Sequence, residues 1–349
     1  MTRAIWLFAV AAFLTICVVG ASKEAISQCS ASCQNIPGTN TPVGAGCFPT
    51  SISPSLTNPQ DPVSYGADPT GVNDSTAAIK SAMAVGDVLF KTPGSYFINT
   101  FTSNHGIILP AGRVVKCRAG VTIFETANNV FGDWGIFETV NGGNTIVGCT
   151  IRGGNTAAGA QAQSNQEGQF LVLVNGANVT VEGNTLDSTW GNSAVQTNSD
   201  FIGVAPANFV IQYNTFTHNP NYGPNVTDAN GGIVQNNLIQ DSSVGVENES
   251  CTNSPPHFTH NVTVKNNEIT VSVGNCGVVG PPCSGPMNLT GGTAPPTCDY
   301  TTNVVSGNYC TGKNGVQNVL ITNTASGTSA TYTGDILGPH CTCDSGSSC

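Results

Sequence analysis

An apolar pair followed three residues later by a small polar one recurs along most of this chain. The phrase reads Val179-Thr-Val181-Glu-Gly-Asn184-Thr-Leu186, then Val210-Ile211-Gln-Tyr-Asn214-Thr-Phe216. It returns as Ile233-Val234-Gln-Asn-Asn237-Leu-Ile239 and Thr263-Val264-Lys-Asn-Asn267-Glu-Ile269, and more faintly as Val304-Val305-Ser-Gly-Asn308-Tyr309. Upstream, Val114-Val115-Lys-Cys117 and Ile146-Val147-Gly-Cys149-Thr-Ile151 fit the same frame with cysteine in the asparagine position. From Cys117 to Asn308 the copies lie 32, 35, 30, 23, 30 and 41 residues apart. A unit of that length built around a short strand is the mark of a solenoid, in which each coil buries its apolar side only by stacking on the next.

Each phrase reads as a strand with alternate apolar residues turned inward and a bend at the asparagine. Asparagine tolerates left-handed backbone angles, and its amide bonds to nearby backbone. Stacked coils would set successive asparagines about 4.8 Å apart, close enough for their amides to form a ladder. The competing arrangement, an antiparallel sandwich with asparagine-rich turns, has no reason to repeat one phrase at coil length. The expected fold is therefore all-β, a parallel β-helix.

Composition agrees. Charged residues make up 9% and glycine reaches 41 of 349, the balance of a chain of strands and turns rather than of helices. The net charge of -10 argues against nucleic acid as a partner, and makes polyanions poor substrates wherever no local basic patch exists.

Residues 1–21 combine Arg3, an apolar run from Ala4 to Val19 and a small-residue end at Ala21, which reads as a secretory signal peptide. The expected product is secreted, extracellular and free of the membrane after cleavage. Export permits disulfides, and the chain has fourteen cysteines. Cys29, Cys33 and Cys47 would staple the N-terminal segment. Cys117 and Cys149 occupy equivalent positions on adjacent coils, at a separation a disulfide accepts, and are either bonded or stacked as buried thiols. The domain expectation is a Cys/Pro/Ser-rich segment over 22–60, a β-helix over 61–325 and a Cys-rich tail over 326–349. Asp74 or Ser75 can cap a helix whose Ala78, Ile79, Ala82 and Met83 share a face, which would close the first coil.

The run Tyr65-Gly-Ala-Asp68-Pro-Thr-Gly71-Val-Asn-Asp74-Ser-Thr-Ala-Ala-Ile79 resembles the N-terminal signature of the pectate-lyase-like superfamily. The following Val88-Leu-Phe90-Lys-Thr-Pro93-Gly94-Ser-Tyr96 resembles its first coil. The resemblance implies a right-handed parallel β-helix that acts on or binds polysaccharide, without fixing the reaction. Asn198-Ser-Asp200 is similar to the first catalytic element of polygalacturonase-type hydrolases. The paired Asp-Asp, Gly-His-Gly and Arg-x-Lys that follow it in that group have no counterparts here, and neither does the Asp-Pro-His-Glu of mannuronan epimerases. Arg152 and Lys265 are the mid-chain cations open to a lyase.

Between residues 187 and 260 lie Asp187, Trp190, Asp200, His218, Tyr222, Asp228, Asp241, Glu247, Glu249, His257 and His260. Two carboxylates, one protonated and one ionised, suffice for glycoside hydrolysis, and Asp200 with Asp228 or Glu247 is the pairing to test. Trp190 and Tyr222 are candidate sugar platforms, with His218 a third binding residue. No cofactor is called for, and calcium stays open. Asn-x-Ser/Thr sequons stand at Asn73, Asn178, Asn225, Asn248, Asn261 and Asn288. The expected function is cleavage of polysaccharide, by hydrolysis or elimination, through acidic residues on one face. The alternative is a non-catalytic glycan-binding or adhesive surface protein.

Overall fold

The computed structural model describes residues 33–99, 106–126, 135–154, 170–189, 193–198, 205–219, 222–242, 246–250, 259–272, 287–291, 302–313, 318–319, 321–323, 331–339 and 341–342. The chain folds as a right-handed parallel β-helix whose strands stack into three long sheets. Sheet I has nine strands, from Val88–Phe90 to Thr331–Thr333, and sheet II has nine, from Gly94–Phe97 to Ile336–Leu337. Sheet III has eight, from Ile107–Ile108 to Ile321–Asn323. Each full coil passes through I, II and III in turn. Within these sheets every strand pairs in parallel with its counterpart one coil away, as between Thr180–Glu182 and Ala207–Gln212.

The repeated phrase crosses the corner between sheets I and II, so each copy contributes two strands rather than one. Its apolar members align into two stacks. Val115, Ile146, Val181, Ile211, Val234, Val264 and Val305 stand in register on sheet I. Ile123, Ile151, Leu186, Phe216, Ile239, Ile269 and Cys310 do so on sheet II. All of them are buried in one continuous core.

Between the stacks runs the asparagine ladder. Oδ1 of Asn214 accepts from the backbone N–H (3.0 Å) and Nδ2 (3.1 Å) of Asn184. The pattern repeats through Asn237, Asn267 and Asn308, with each amide also donating back to a carbonyl of the preceding coil, as Asn237 does to Ile211 at 3.0 Å. These side chains are fully buried, and each unit satisfies the corner of its neighbour. The left-handed backbone conformation falls one residue earlier than the sequence suggests. It is taken by Gly148, Gly183, Tyr213, Asn236, Asn266 and Gly307, which frees the ladder residue to point inward. At the N-terminal end Cys117 and Cys149 form a disulfide with Cα atoms 4.9 Å apart, so a covalent rung replaces an amide one.

Helix α1 (Thr76–Val85) buries Ala78, Ile79, Ala82 and Met83 over the first coil, the face its sequence presents. Its N-terminus is held by Asp74, whose Oδ1 accepts from Thr76 N at 2.8 Å, while the Ser75 hydroxyl turns back to accept from Asp68 N. Asp68 gathers the loop before the helix, accepting from the Thr70 hydroxyl and then from the N–H of Thr70 and Asn73, and these bonds hold its carboxyl well below the usual range. Gly94 is required by crowding, because a Cβ there would lie 2.3 Å from the Pro69 carbonyl oxygen. The Tyr96 ring is buried edge-on to Phe90, and its hydroxyl donates to Thr92 O.

Residues 33–60 pack along the outside of the coils instead of hanging free. Ile36 and Val43 sit against Leu238, Tyr309 and Ile336 near the C-terminal end. Gly44 N donates to Asn236 O, Ala45 N to Thr215 Oγ1, and Phe48 packs with Val114, Val147 and Tyr213. Further along, Asp87 N donates to Thr57 O, and Gln60 bridges in parallel to Val88 of the first coil. The segment thus runs against the direction of coiling, as a strap, with the Cys33–Cys47 disulfide within it.

Candidate functional site

Over its strands Gly135–Glu138, Phe170–Val174, Ser193–Thr197 and Tyr222–Thr227, sheet III is buried on both faces, unlike the other two sheets. On its inner side Phe137, Val172 and Val195 stand in register and belong to the core. Pleating turns the alternate row, Glu138, Leu173, Gln196 and Asn225, the other way. That row is buried too, Gln196 at 5% exposure and Asn225 at 1%. On sheet II, by contrast, the outward Arg152 is exposed, and Asp187 and Thr217 are half-buried.

Buried polar side chains need partners, and here they supply one another. Ser193 Oγ donates to Gln196 Oε1 at 2.6 Å, and Gln196 Nε2 donates to Thr227 Oγ1 at 3.1 Å. Thr227 Oγ1 donates to Asn225 Oδ1 at 2.8 Å. Thr197 Oγ1 accepts from Thr227 N and donates to Thr227 O, both at 2.7 Å, locking adjacent coils together. The result is a rigid polar seam across the strands Ser193–Thr197 and Tyr222–Thr227.

The C-terminal ends of these strands collect further polar groups. Asn175 follows the strand Phe170–Val174, Asn198 follows Ser193–Thr197, and Asp228 follows Tyr222–Thr227. All three are buried. Both side-chain polar atoms of Asn175 lack a hydrogen-bond partner. Asp228 leaves its strand in the left-handed conformation, φ 55°, which aspartate tolerates better than most residues. One coil on, Glu247 stands in register with Asn225 and Glu249 with Thr227, which makes Glu249 the nearer backbone neighbour of Asp228.

The sequence-predicted site residues divide accordingly. Asp228, Glu247 and Tyr222 all belong to sheet III or its strand ends; Tyr222 is 6% exposed and in register with Ser193. Asp200 and Trp190 lie outside the described residues. His218 is at the opposite edge, on the corner entering sheet III, with Nδ1 2.8 Å from Asp187 Oδ1 and half of its side chain exposed. Five residue rises separate Tyr222 from Thr227, roughly 16 Å. His218 thus precedes the strand Tyr222–Thr227 and Asp228 follows it, at opposite ends of its length.

Gln196, Ser193 and Thr227 escape a search for titratable residues. Asn225-Val-Thr227 reads in the sequence as a glycosylation sequon, yet both polar side chains belong to the buried seam. Elsewhere burial pushes the carboxyl of Glu182 up, with Gln212 Nε2 donating to it at 2.8 Å. It pushes Glu268 up likewise, against a bond from Gln34 of the strap. Among the described residues no three His, Cys, Asp or Glu are grouped to hold a metal ion, and no helix is long and apolar enough to cross a membrane.

Comparison with protein-family models finds no match, and no curated protein matches. Solved structures do. A tailspike protein of E. coli bacteriophage HK620, in complex with a pentasaccharide, aligns with TM-score 0.51 at 13% identity over 80% of this chain and 56% of its own. The catalytic unit of a GH87 α-1,3-glucanase from Streptomyces thermodiastaticus aligns with TM-score 0.46 at 17% identity, over 82% of this chain and 48% of that one. PfbA, a surface adhesin of Streptococcus pneumoniae, aligns with TM-score 0.49 at 14% identity, over 81% and 79%. The chain spans about half the length of the tailspike and glucanase chains. At this identity the likeness to the tailspike bears on the fold alone.

Proposed function

We propose that this chain is a secreted member of the pectate-lyase-like superfamily that binds and cleaves a polysaccharide along sheet III. The observation that carries the reading is the strand-end row Asn175, Asn198 and Asp228. Folding collects buried polar groups there and leaves the Asn175 amide unpaired, a cost that a protein retains where a ligand supplies the missing bonds. Asp228 is one carboxylate of an acid–base pair. Its partner is Glu249 or Glu247 on the next strand, or Asp200 on the coil before, three residues beyond Thr197. The seam of Ser193, Gln196, Asn225 and Thr227 backs the row and fixes its geometry.

Purified protein incubated with a polysaccharide panel tests this through release of reducing ends and the ultraviolet absorbance of unsaturated uronates. Asp228→Asn should lower the rate by about 10²–10⁴-fold with the thermal transition unchanged. Full turnover in that variant removes Asp228 from the pair. A second reading, a glycan-binding surface protein without catalysis, draws on the seam's closure: its hydrogen bonds are satisfied internally and its residues are covered. Binding without release of reducing ends selects that reading.

A further inference from the structure

The cations of this chain are partitioned by sheet. Of its ten lysines and arginines, Arg3 and Lys23 precede the described residues. Lys80 is on helix α1. Lys91, Lys116, Arg118 and Lys265 are on sheet I strands or next to them, and Arg152 and Lys313 end strands of sheet II. Arg113 enters sheet I and points its Nε at the Met83 carbonyl of the capping helix. Arg152 lies over the Phe124 ring, 5.4 Å from its centroid, on sheet II.

Among the described residues, the strands of sheet III carry no lysine, arginine or histidine. Its charged strand residues are Glu138, Glu247 and Glu249, with Asp228 directly following a strand. Between Arg152 and Lys265 the chain contains no lysine or arginine at all, while Asp187, Asp200, Asp228, Glu247 and Glu249 fall in that interval. His218, His257 and His260 also fall there; His218 is engaged with Asp187 at the far edge, and His260 begins a sheet I strand.

From this partition we propose that the sheet III site takes a neutral, hydroxyl-rich glycan and excludes polyuronates and sulfated chains. The inference rests on sheet III being the glycan site. Each residue of a polyuronate carries a carboxylate, and the described strands of sheet III carry carboxylates of the same sign with no lysine, arginine or histidine among them to offset the repulsion. The unpaired Asn175 amide, a donor and an acceptor in one group, together with carboxylate acceptors instead offers what sugar hydroxyls complement. A neutral substrate also has no acidic proton beside a carboxylate, so cleavage proceeds by hydrolysis. Water adds across the glycosidic bond, one carboxyl protonates the leaving oxygen, and the other takes the proton of the water.

Affinity electrophoresis of the full chain against neutral glucans, mannans and xylans, alongside polygalacturonate and alginate, tests it. The expected result is retardation by at least one neutral polymer, at least about tenfold tighter than by either polyuronate. That retardation should be unchanged when salt rises from about 0.05 to about 0.5 M. A polyuronate bound as tightly as any neutral chain overturns the neutral-glycan inference while leaving the carbohydrate reading standing. Retardation by none of them overturns both.

Discussion

The asparagine ladder ends in an aspartate, and that one atom of difference has a pH signature. Asp335 Oδ1 accepts from the N–H and Nδ2 of Asn308, as an asparagine would, and Gly334 before it takes the usual left-handed conformation. Its Oδ2, where an amide would donate back to the preceding coil, is buried without a partner, and burial pushes the carboxyl up. A raised carboxyl contributes stability that is full below its ordinary value and is lost as pH rises through the folded one. Asp335→Asn should therefore raise stability at neutral pH by about 1 kcal/mol, the net worth of a restored hydrogen bond. It should also flatten the dependence between acid and neutral pH, measured by urea unfolding at each. Glu182 and Glu268, raised by burial, keep a residual slope of the same sign. A variant less stable than the parent at neutral pH would refute the role. Recurrence of Asn184, Asn214, Asn237, Asn267 and Asn308 is visible in the sequence because the ladder demands one residue type at every corner. The offset of the left-handed residue is not, because Gly, Tyr and Asn all occupy it.

At the scale of elements, the strap formed by residues 33–60 is what periodicity could not reveal. Its Pro- and Ser-rich text has no strand or helix period, and its order comes from tertiary contacts with ladder corners that lie far away in sequence. Phe48 is the anchor: it is 4% exposed, packs edge-on to Tyr213, and lies so close over Gly183 that a Cβ there would come within 2.7 Å of its ring. Phe48→Ala should cost about 3 kcal/mol and free the strap's middle, seen as faster amide exchange at Gly44 and Ala45 with the Asn214–Asn237 rungs still protected. Loss of protection in the rungs as well would mean that the strap and the coils form one cooperative unit. The capping helix was legible where the strap was not, since Ala78, Ile79, Ala82 and Met83 repeat at helical spacing.

For the molecule as a whole, the function proposed for sheet III and its stability make opposite demands, and Asn175 is where they separate. The fold was readable from the coil repeat because a solenoid writes the same constraint many times. Of the site proposed on sheet III, only the titratable Asp228 and Glu247 stand out in the sequence, while Gln196 and Asn225 do not. Asn175 looks in the sequence like another turn residue; only burial with both amide atoms unpaired marks it. A group retained for packing should cost stability when replaced, whereas an unpaired buried amide replaced by an apolar group of similar shape should be neutral or stabilising. Asn175→Leu is therefore expected to keep or raise the unfolding midpoint while weakening glycan retardation by roughly tenfold, the loss of about 1.4 kcal/mol of binding. Because the row is buried in the free chain, the bound glycan should also alter amide exchange in the strands Ser193–Thr197 and Tyr222–Thr227. A variant that is destabilised yet binds normally would return Asn175 to the structural residues and move the search for the glycan off this end of sheet III.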